Sequence, residues 1–295
     1  MKRIVVAGAL AGLGIALVAA FAFRGELVPE RSPAERGRRA AQAAGCFGCH
    51  GPSGAEGAPN QRRSPDGKSL EEESVPPLTS GDNDAAALRQ WVRNGISDAE
   101  AASPINVAAR SRKLLQMPAY AGRLSDGDIE DIVSWLSLEA CRASGEAALE
   151  PPTGPSGPEL PLARGERLAR TWGCFACHGE LGQGGVGNAG ALKGYIPGFF
   201  GRDFELLTQG GEPDSVREWI RDGAARAFIE GRIAGIRLAA WFTERQAIQM
   251  PAYGLFAPAA DIDALVEYVG AIHRLGPLDA KGIEDYLAKQ KRKDP

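Results

Sequence analysis

The sequence predicts an all-α fold, built as two tandem copies of one helical domain behind an N-terminal hydrophobic helix. Three observations predict it. First, a distinctive string recurs: Gly45-Cys46-Phe47-Gly48-Cys49-His50-Gly51 returns 128 residues later as Gly173-Cys174-Phe175-Ala176-Cys177-His178-Gly179, and Trp91 returns at the same offset as Trp219. Met117 and Trp135 return as Met250 and Tyr268 at an offset of 133, so the second copy carries a net five-residue insertion between Trp219 and Met250. Self-similarity through four positions implies two copies of one structural unit. Second, the apolar residues between these points follow helical spacing and are bracketed by capping signals. Third, no sustained alternation of apolar and polar residues marks a strand.

The elements follow in order. Lys2 and Arg3 precede an uncharged apolar run from Ile4 to Phe23, closed by Arg24. At a rise of about 1.5 Å per residue the run just crosses a hydrocarbon core of about 30 Å. Leading basic residues hold the N-terminus in the cytoplasm and send the rest outward. Residues 1–24 therefore read as a membrane anchor, with membrane contact through residues 4–23. The small-x-small triplet Ala20-Phe21-Ala22 leaves a cleaved signal peptide as the alternative. Either reading puts residues 30–295 on the periplasmic side of the inner membrane, anchored or soluble.

After a short linker, Ser32-Pro33-Ala34-Glu35 has the shape of a capping box with Pro at the first helical position, which predicts a helix to Ala44 stopped by Gly45. A second helix is expected from Asp84 to Asn94 before Gly95, and a third from Ser125 to Leu138 with Ile129, Ile132, Val133 and Leu136 on one face. The second copy repeats the plan with helices over Leu162–Trp172, Ser215–Asp222 and Pro258–His273. Between the copies, Glu150 to Pro161 is rich in Pro, which forbids helix and favours an extended connector. The domains are thus 32–149 and 162–278, joined by the linker 150–161 and followed by a charged tail, 279–295, whose basic residues Lys289 to Lys293 read as exposed. Three short helices with long loops make a thin core, so something else must fill each centre.

The full chain has 295 residues, 44% hydrophobic and 24% charged, with 34 basic and 37 acidic residues. That balance excludes a wholly disordered chain and a multi-span membrane protein. A net charge of −3 excludes a strongly basic nucleic-acid binder.

The chemistry sits in the two Cys-x-x-Cys-His motifs, the attachment pattern of c-type haem. Two cysteines three residues apart share one face of a helical turn, where Cys46 and Cys49, or Cys174 and Cys177, can each form thioethers to one porphyrin. His50 or His178 is then held beneath the iron. Only three Met occur in the chain, and apart from Met1 they are Met117 and Met250, each within Gln-Met-Pro-Ala-Tyr. The following Pro disfavours helix at the Met and suits a loop that offers a thioether to the iron; plain core packing of the two Met is the alternative. Zinc is a poorer reading, because a structural zinc site takes four Cys or His ligands and each copy has three. A thioredoxin-type pair lacks its βαβ setting.

Taken together these residues resemble the class I cytochrome c family, and the whole resembles bacterial two-domain dihaem cytochromes c over about residues 32–140 and 162–274. The resemblance implies tandem class I cytochrome c domains, each wrapped around one covalent haem c, two haems in all. The axial pairs are then His50 with Met117 and His178 with Met250. It also implies that each proximal His donates from Nδ1 to a carbonyl in a Pro-bearing loop, with Pro77 (in VPPLTSG) and Pro197 (in YIPGFFGRD) as the positions. Trp91, Trp219, Tyr120 and Tyr253 would line the haem pockets, although the two Trp read equally well as core packing.

A haem with both axial positions filled has no open site, and Met opposite His raises its potential. The expected function is electron transfer between redox protein partners, as a carrier or as the cytochrome subunit of a respiratory or dehydrogenase complex. The alternative is a dihaem redox enzyme of peroxidase or thiosulfate dehydrogenase type, which needs one displaceable ligand. Cys141 reads as an inert thiol, His273 as an ordinary helix-end residue, and Glu71-Glu72-Glu73 as solvated surface.

Overall fold

A computed structural model describes residues 32–51, 54, 57–67, 69–78, 84–138, 161–230 and 243–291. The expected N-terminal hydrophobic helix, Cys141 and nearly all of the Pro-rich linker lie outside these residues. Among the described residues no helix is long and apolar enough to cross a membrane.

The first half opens with α1 (Pro33–Ala44), whose capping box is complete: Ser32 Oγ accepts from the Glu35 N–H and the Glu35 carboxylate accepts from the Ser32 N–H. Gly45 stops it in the left-handed region, and α2 (Cys46–His50) starts at once. A long loop follows, carrying a minimal antiparallel pair, β1 (Arg62–Arg63) and β2 (Leu70–Glu71). Next come α3 (Ala85–Asn94), capped by Asp84, then α4 (Asp98–Ala101), α5 (Pro104–Arg110) and α6 (Asp126–Leu136), capped by Ser125. The expected stripe Ile129, Ile132, Val133 and Leu136 is the buried face of α6.

The second half holds α7 (Pro161–Thr171), α8 (Cys174–His178), α9 (Arg202–Leu207), α10 (Pro213–Asp222), α11 (Arg226–Glu230), α12 (Ala259–Leu275) and α13 (Ala280–Lys291). α10 begins two residues before the expected Ser215, because Pro213 takes the first helical turn, where its missing N–H costs nothing. Within the charged tail, Ala280–Lys291 are helical as α13; Lys289 is exposed, while Ala280 and Ile283 are buried, Ile283 within the second hydrophobic core.

Each half has its own core. Residues such as Ala41, Val92, Tyr120, Ile129, Ile132 and Trp135 form the first, and Leu168, Trp172, Phe199, Leu265, Tyr268 and Ile272 belong to the second. In the first, α1 crosses α6 and α3 packs on α6; in the second, α7 crosses α12 and α10 packs on α12. Both crossings use a glycine. A Cβ on Gly37 would stand 1.9 Å from the Asp131 carbonyl oxygen, and one on Gly165 would stand 2.3 Å from that of Ala264. The halves meet through α2 and α8, with Gly48 set against the Ala176 carbonyl.

Candidate haem site

Cys46 and Cys49 share one face of α2 by their i, i+3 spacing, and His50 follows at its end. The His50 Nδ1 lies 2.8 Å from the Pro76 carbonyl oxygen, and the His178 Nδ1 lies 2.8 Å from that of Pro197. A carbonyl can only accept, so each Nδ1 carries the proton and each Nε2 keeps its lone pair for a metal. In the first half this corrects the expected Pro77 to Pro76. The Val75 N–H donates to Ala58 O and the Leu78 N–H to Gly54 O, each at 2.8 Å, and these ties leave the Pro76 carbonyl facing the imidazole.

Burial holds both imidazoles below the ordinary histidine range, so they are neutral, the form that ligates. Burial also pushes the Cys46 thiol up to about 12 and the Cys174 thiol to about 11. Both are therefore protonated thiols, the groups that add across a vinyl.

Met117 is reached through the loop between α5 and α6. Its carbonyl accepts from Arg110 Nη2 at 2.9 Å, and Pro118 follows it. Gly95, which ends α3 with φ 70°, backs onto that carbonyl, where a Cβ would sit 2.3 Å from the oxygen. Gly223 (φ 77°) stands against the Met250 carbonyl in the same way, at 2.6 Å. A left-handed backbone with no side chain is needed at both places.

Cys46, His50 and Met117 line one apolar cavity, completed by Leu78, Val92, Tyr120, Ile132 and Trp135 among others. In the second half, Cys174, Phe175 and Met250 pack against the second core. Tyr120 Oη donates to Ala44 O at 3.2 Å and Tyr253 Oη to Trp172 O at 3.1 Å, so each ties the Met loop to the end of the first helix of its half.

Trp91 stands outside the cavity lining, under the Arg110 guanidinium at 5.8 Å, and the indole that lines the cavity is Trp135. Trp219 donates to Leu207 O and packs beside Phe228. His273 lies away from both motifs, beside Phe204, with Nδ1 buried and unbonded.

The second cysteines of the two motifs lie near each other, and their mutual interaction holds Cys49 below and Cys177 above the ordinary thiol range.

The donor set fits a covalent haem. Two thiols on one helical face, an imidazole with a free Nε2 and a thioether belong to each half, and in the first half one thiol, the imidazole and the thioether open onto a common apolar space. Zinc fits poorly: among the described residues no group of three or more His, Cys, Asp or Glu could hold a metal ion.

Two pairs of residues escaped the sequence reading. Gly37 and Gly165 occupy the helix crossings. Asn60 and Asn188 are buried at 3% and 1% exposure and bond the Met loops. Both pairs recur at the 128-residue offset of the motifs, and extending the repeat residue by residue would have found them.

The family model for cytochrome c matches residues 34–138. No curated protein and no solved structure matches the chain. The matched span contains α1, the Cys46–His50 motif, Met117 and α6. Residues 34–138 are thus similar to a cytochrome c domain, and that likeness supports a covalent haem c and haem-based electron transfer.

Proposed function

We propose that the chain is a dihaem c-type cytochrome with tandem class I domains, moving electrons between redox partners on the periplasmic side of the membrane. It serves as a carrier or as the cytochrome subunit of a respiratory or dehydrogenase complex. One observation carries the reading. The second half repeats the site of the first part by part: α8 for α2, Pro197 for Pro76, Gly223 for Gly95, Tyr253 for Tyr120 and Met250 for Met117.

Cys46, Cys49, Cys174 and Cys177 would hold two haems. His50 with Met117 and His178 with Met250 would supply the axial ligands. A bound haem supplies the ferric/ferrous couple. The chain's part is to close both axial positions, to keep water out with apolar walls and to fix each imidazole through its Nδ1–H. The contact between Cys49 and Cys177 supports a relay, because it sets the two attachment sites side by side and electron transfer weakens steeply with separation. The apolar segment 4–23 supports the periplasmic placement.

Haem content and carbon monoxide binding test the proposal. Two covalent haems per chain and no spectral change when carbon monoxide is added to the reduced protein are expected. One haem per chain overturns the tandem reading. Carbon monoxide uptake at either haem of the reduced protein overturns the carrier in favour of a redox enzyme. Co-purification from membranes of a donor or acceptor enzyme distinguishes subunit from free carrier.

A further inference from the structure

We propose that Asn60 and Asn188 are positioning residues for the axial methionines, each clamping the Met loop of its own half while seated against the other half. The inference rests on the dihaem His/Met reading. Asn60 Oδ1 accepts from the Leu115 N–H at 2.7 Å, and its Nδ2 donates to the Leu115 carbonyl at 3.0 Å. Asn188 Oδ1 accepts from the Ile248 N–H at 2.9 Å, and its Nδ2 donates to the Ile248 carbonyl at 2.8 Å. Leu115 and Ile248 each stand two residues before the Met. One further bond extends each clamp: Leu114 N–H to Gln61 O at 2.9 Å, and Ala247 N–H to Ala189 O at 2.8 Å. The carboxamide thus takes the place of a strand partner at Leu115 and at Ile248.

The clamp is rigid because its own base is fixed. The Asn60 N–H donates to Glu73 O at 2.7 Å, and the Asn188 N–H donates to Gly194 O at 2.9 Å. The residue before each Asn rests on the opposite half. The Pro59 carbonyl faces Gly173, where a Cβ would be 2.8 Å away, and the Gly187 carbonyl faces Gly45, at 2.0 Å. Gly45 and Gly173 are the residues that start α2 and α8. Each Met loop is therefore braced, through one Asn, on the haem-attachment helix of the other half.

The physical argument is one of ligand strength. A neutral thioether binds iron weakly compared with imidazole, so its occupancy depends on how narrowly the loop confines it. A buried carboxamide satisfied at both ends resists displacement, because releasing it strands a backbone donor and an acceptor away from water. The following prolines, Pro118 and Pro251, have no N–H with which to anchor the loop from the other side. The covalent thioethers do not depend on the clamp.

The test uses the haem-loaded full chain and the variants Asn60→Ala and Asn188→Ala, with Asn60→Asp and Asn188→Asp as the isosteric pair. Asp keeps the acceptor for the N–H and loses the donor. Readouts are covalent haem content, the red-edge charge-transfer band of Met-ligated ferric haem, its loss with rising pH, and carbon monoxide binding.

The parent is expected to show two Met-ligated haems closed to carbon monoxide. Each Ala variant should keep both haems, lose the Met band of its own half only, and admit carbon monoxide at that haem only. Each Asp variant should keep the band at neutral pH but lose it at a lower pH than the parent. An unchanged band, pH profile and carbon monoxide response overturn the positioning role, as does simultaneous loss of the band from both halves. If an Ala variant fails to accumulate, the Asp variant decides by the same readings. A parent without two Met-ligated haems instead defeats the dihaem reading itself, so the two failures are separable.

Discussion

Gly37 crosses Asp131 with no room for a side chain, the space between helix backbones there being too small for a single methyl group. The neighbouring Arg36 binds the Asp131 carboxylate through Nε and Nη2 at 2.7 and 2.8 Å, so the same crossing is also held by an ion pair. The crossing of α1 and α6 thus fixes the two ends of the first half against each other.

Gly37→Ala must push α1 off α6. Forcing one methylene into a packed site costs about 1–3 kcal/mol, and the obstacle here is backbone, which cannot rotate away. Gly165→Ala should cost a similar amount at the crossing of α7 and α12. Gly127→Ala is the control: the glycine lies in the first turn of α6 with its nearest neighbour, Ser125 Oγ, 3.8 Å from a built Cβ. There alanine should add about 0.5–1 kcal/mol by lowering unfolded-state entropy. Urea denaturation of the haem-loaded protein reads all three, and equal midpoints for Gly37→Ala and Gly127→Ala would sink the argument.

Met117 and Met250 can be separated by substitution. On the proposed dihaem His/Met reading, Met117→Ala should open the sixth position at one haem only, admit carbon monoxide there, and lower that haem's potential on the order of tenths of a volt, within the ≈0.8 V that axial ligands span. Met250→Ala should do the same at the other haem. Potentiometric titration followed by absorbance tests this. If either variant leaves both potentials in place, the corresponding Met is a core residue.

Helix starts were legible where a side chain satisfies a backbone donor locally. Ser32, Asp84 and Ser125 each accept from the N–H three residues on, and sequence suffices to see such pairs. The motif residues were legible because their spacing is itself the chemistry. The Pro76 carbonyl was not. Val75-Pro76-Pro77-Leu78 offers two adjacent carbonyls, and the choice between them is made by distant partners, Gly54 and Ala58. The pair β1 and β2 is two residues long on each side, too short for alternation to show. α13 was hidden because its charged residues dominate the pattern while, among its described side chains, only Ala280 and Ile283 are buried. Trp91 and Trp135 could not be ranked from sequence, since both sit on amphipathic helices and only tertiary packing decides which indole faces the cavity.

Arg89 binds Glu130 through two hydrogen bonds, 2.6 and 2.7 Å, and ties α3 to α6. The guanidinium holds the Glu130 carboxyl below the usual carboxylate range. A group with a lowered folded pKa contributes its stability in full above the unfolded value and loses it as pH falls through the folded one. Both side chains are largely exposed, so the contribution is small and screened by salt. Arg89→Gln should therefore lower the denaturation midpoint slightly at neutral pH and low salt. The difference from the parent should shrink at high salt and vanish well below the carboxylate range. A difference that persists in acid would mean that packing of the Arg89 stem, not its charge, is what matters.

Gly48 faces the Ala176 carbonyl across the contact between α2 and α8, where a built Cβ would lie 2.6 Å from the oxygen and 2.9 Å from Val186 Cγ1. The second half has alanine at the matching position, so the tight side of the contact belongs to Gly48 alone. Gly48 is not in the left-handed region, and helical backbone accepts a β-branched residue there, so Gly48→Val leaves α2 itself intact. The added bulk must instead part the two helices and draw Cys49 away from Cys177. Haem attachment, which depends on Cys46, Cys49 and His50 within one helix, should survive with two haems per chain. On the proposed dihaem relay, electron exchange between the halves should slow, because it would depend on the separation that Gly48 sets. Flash reduction followed by spectral resolution of the two haems measures the exchange, and scattering measures the parting of the halves. If the halves part and exchange stays as fast as in the parent, electrons do not pass through the contact of α2 and α8, and the relay must run by another route.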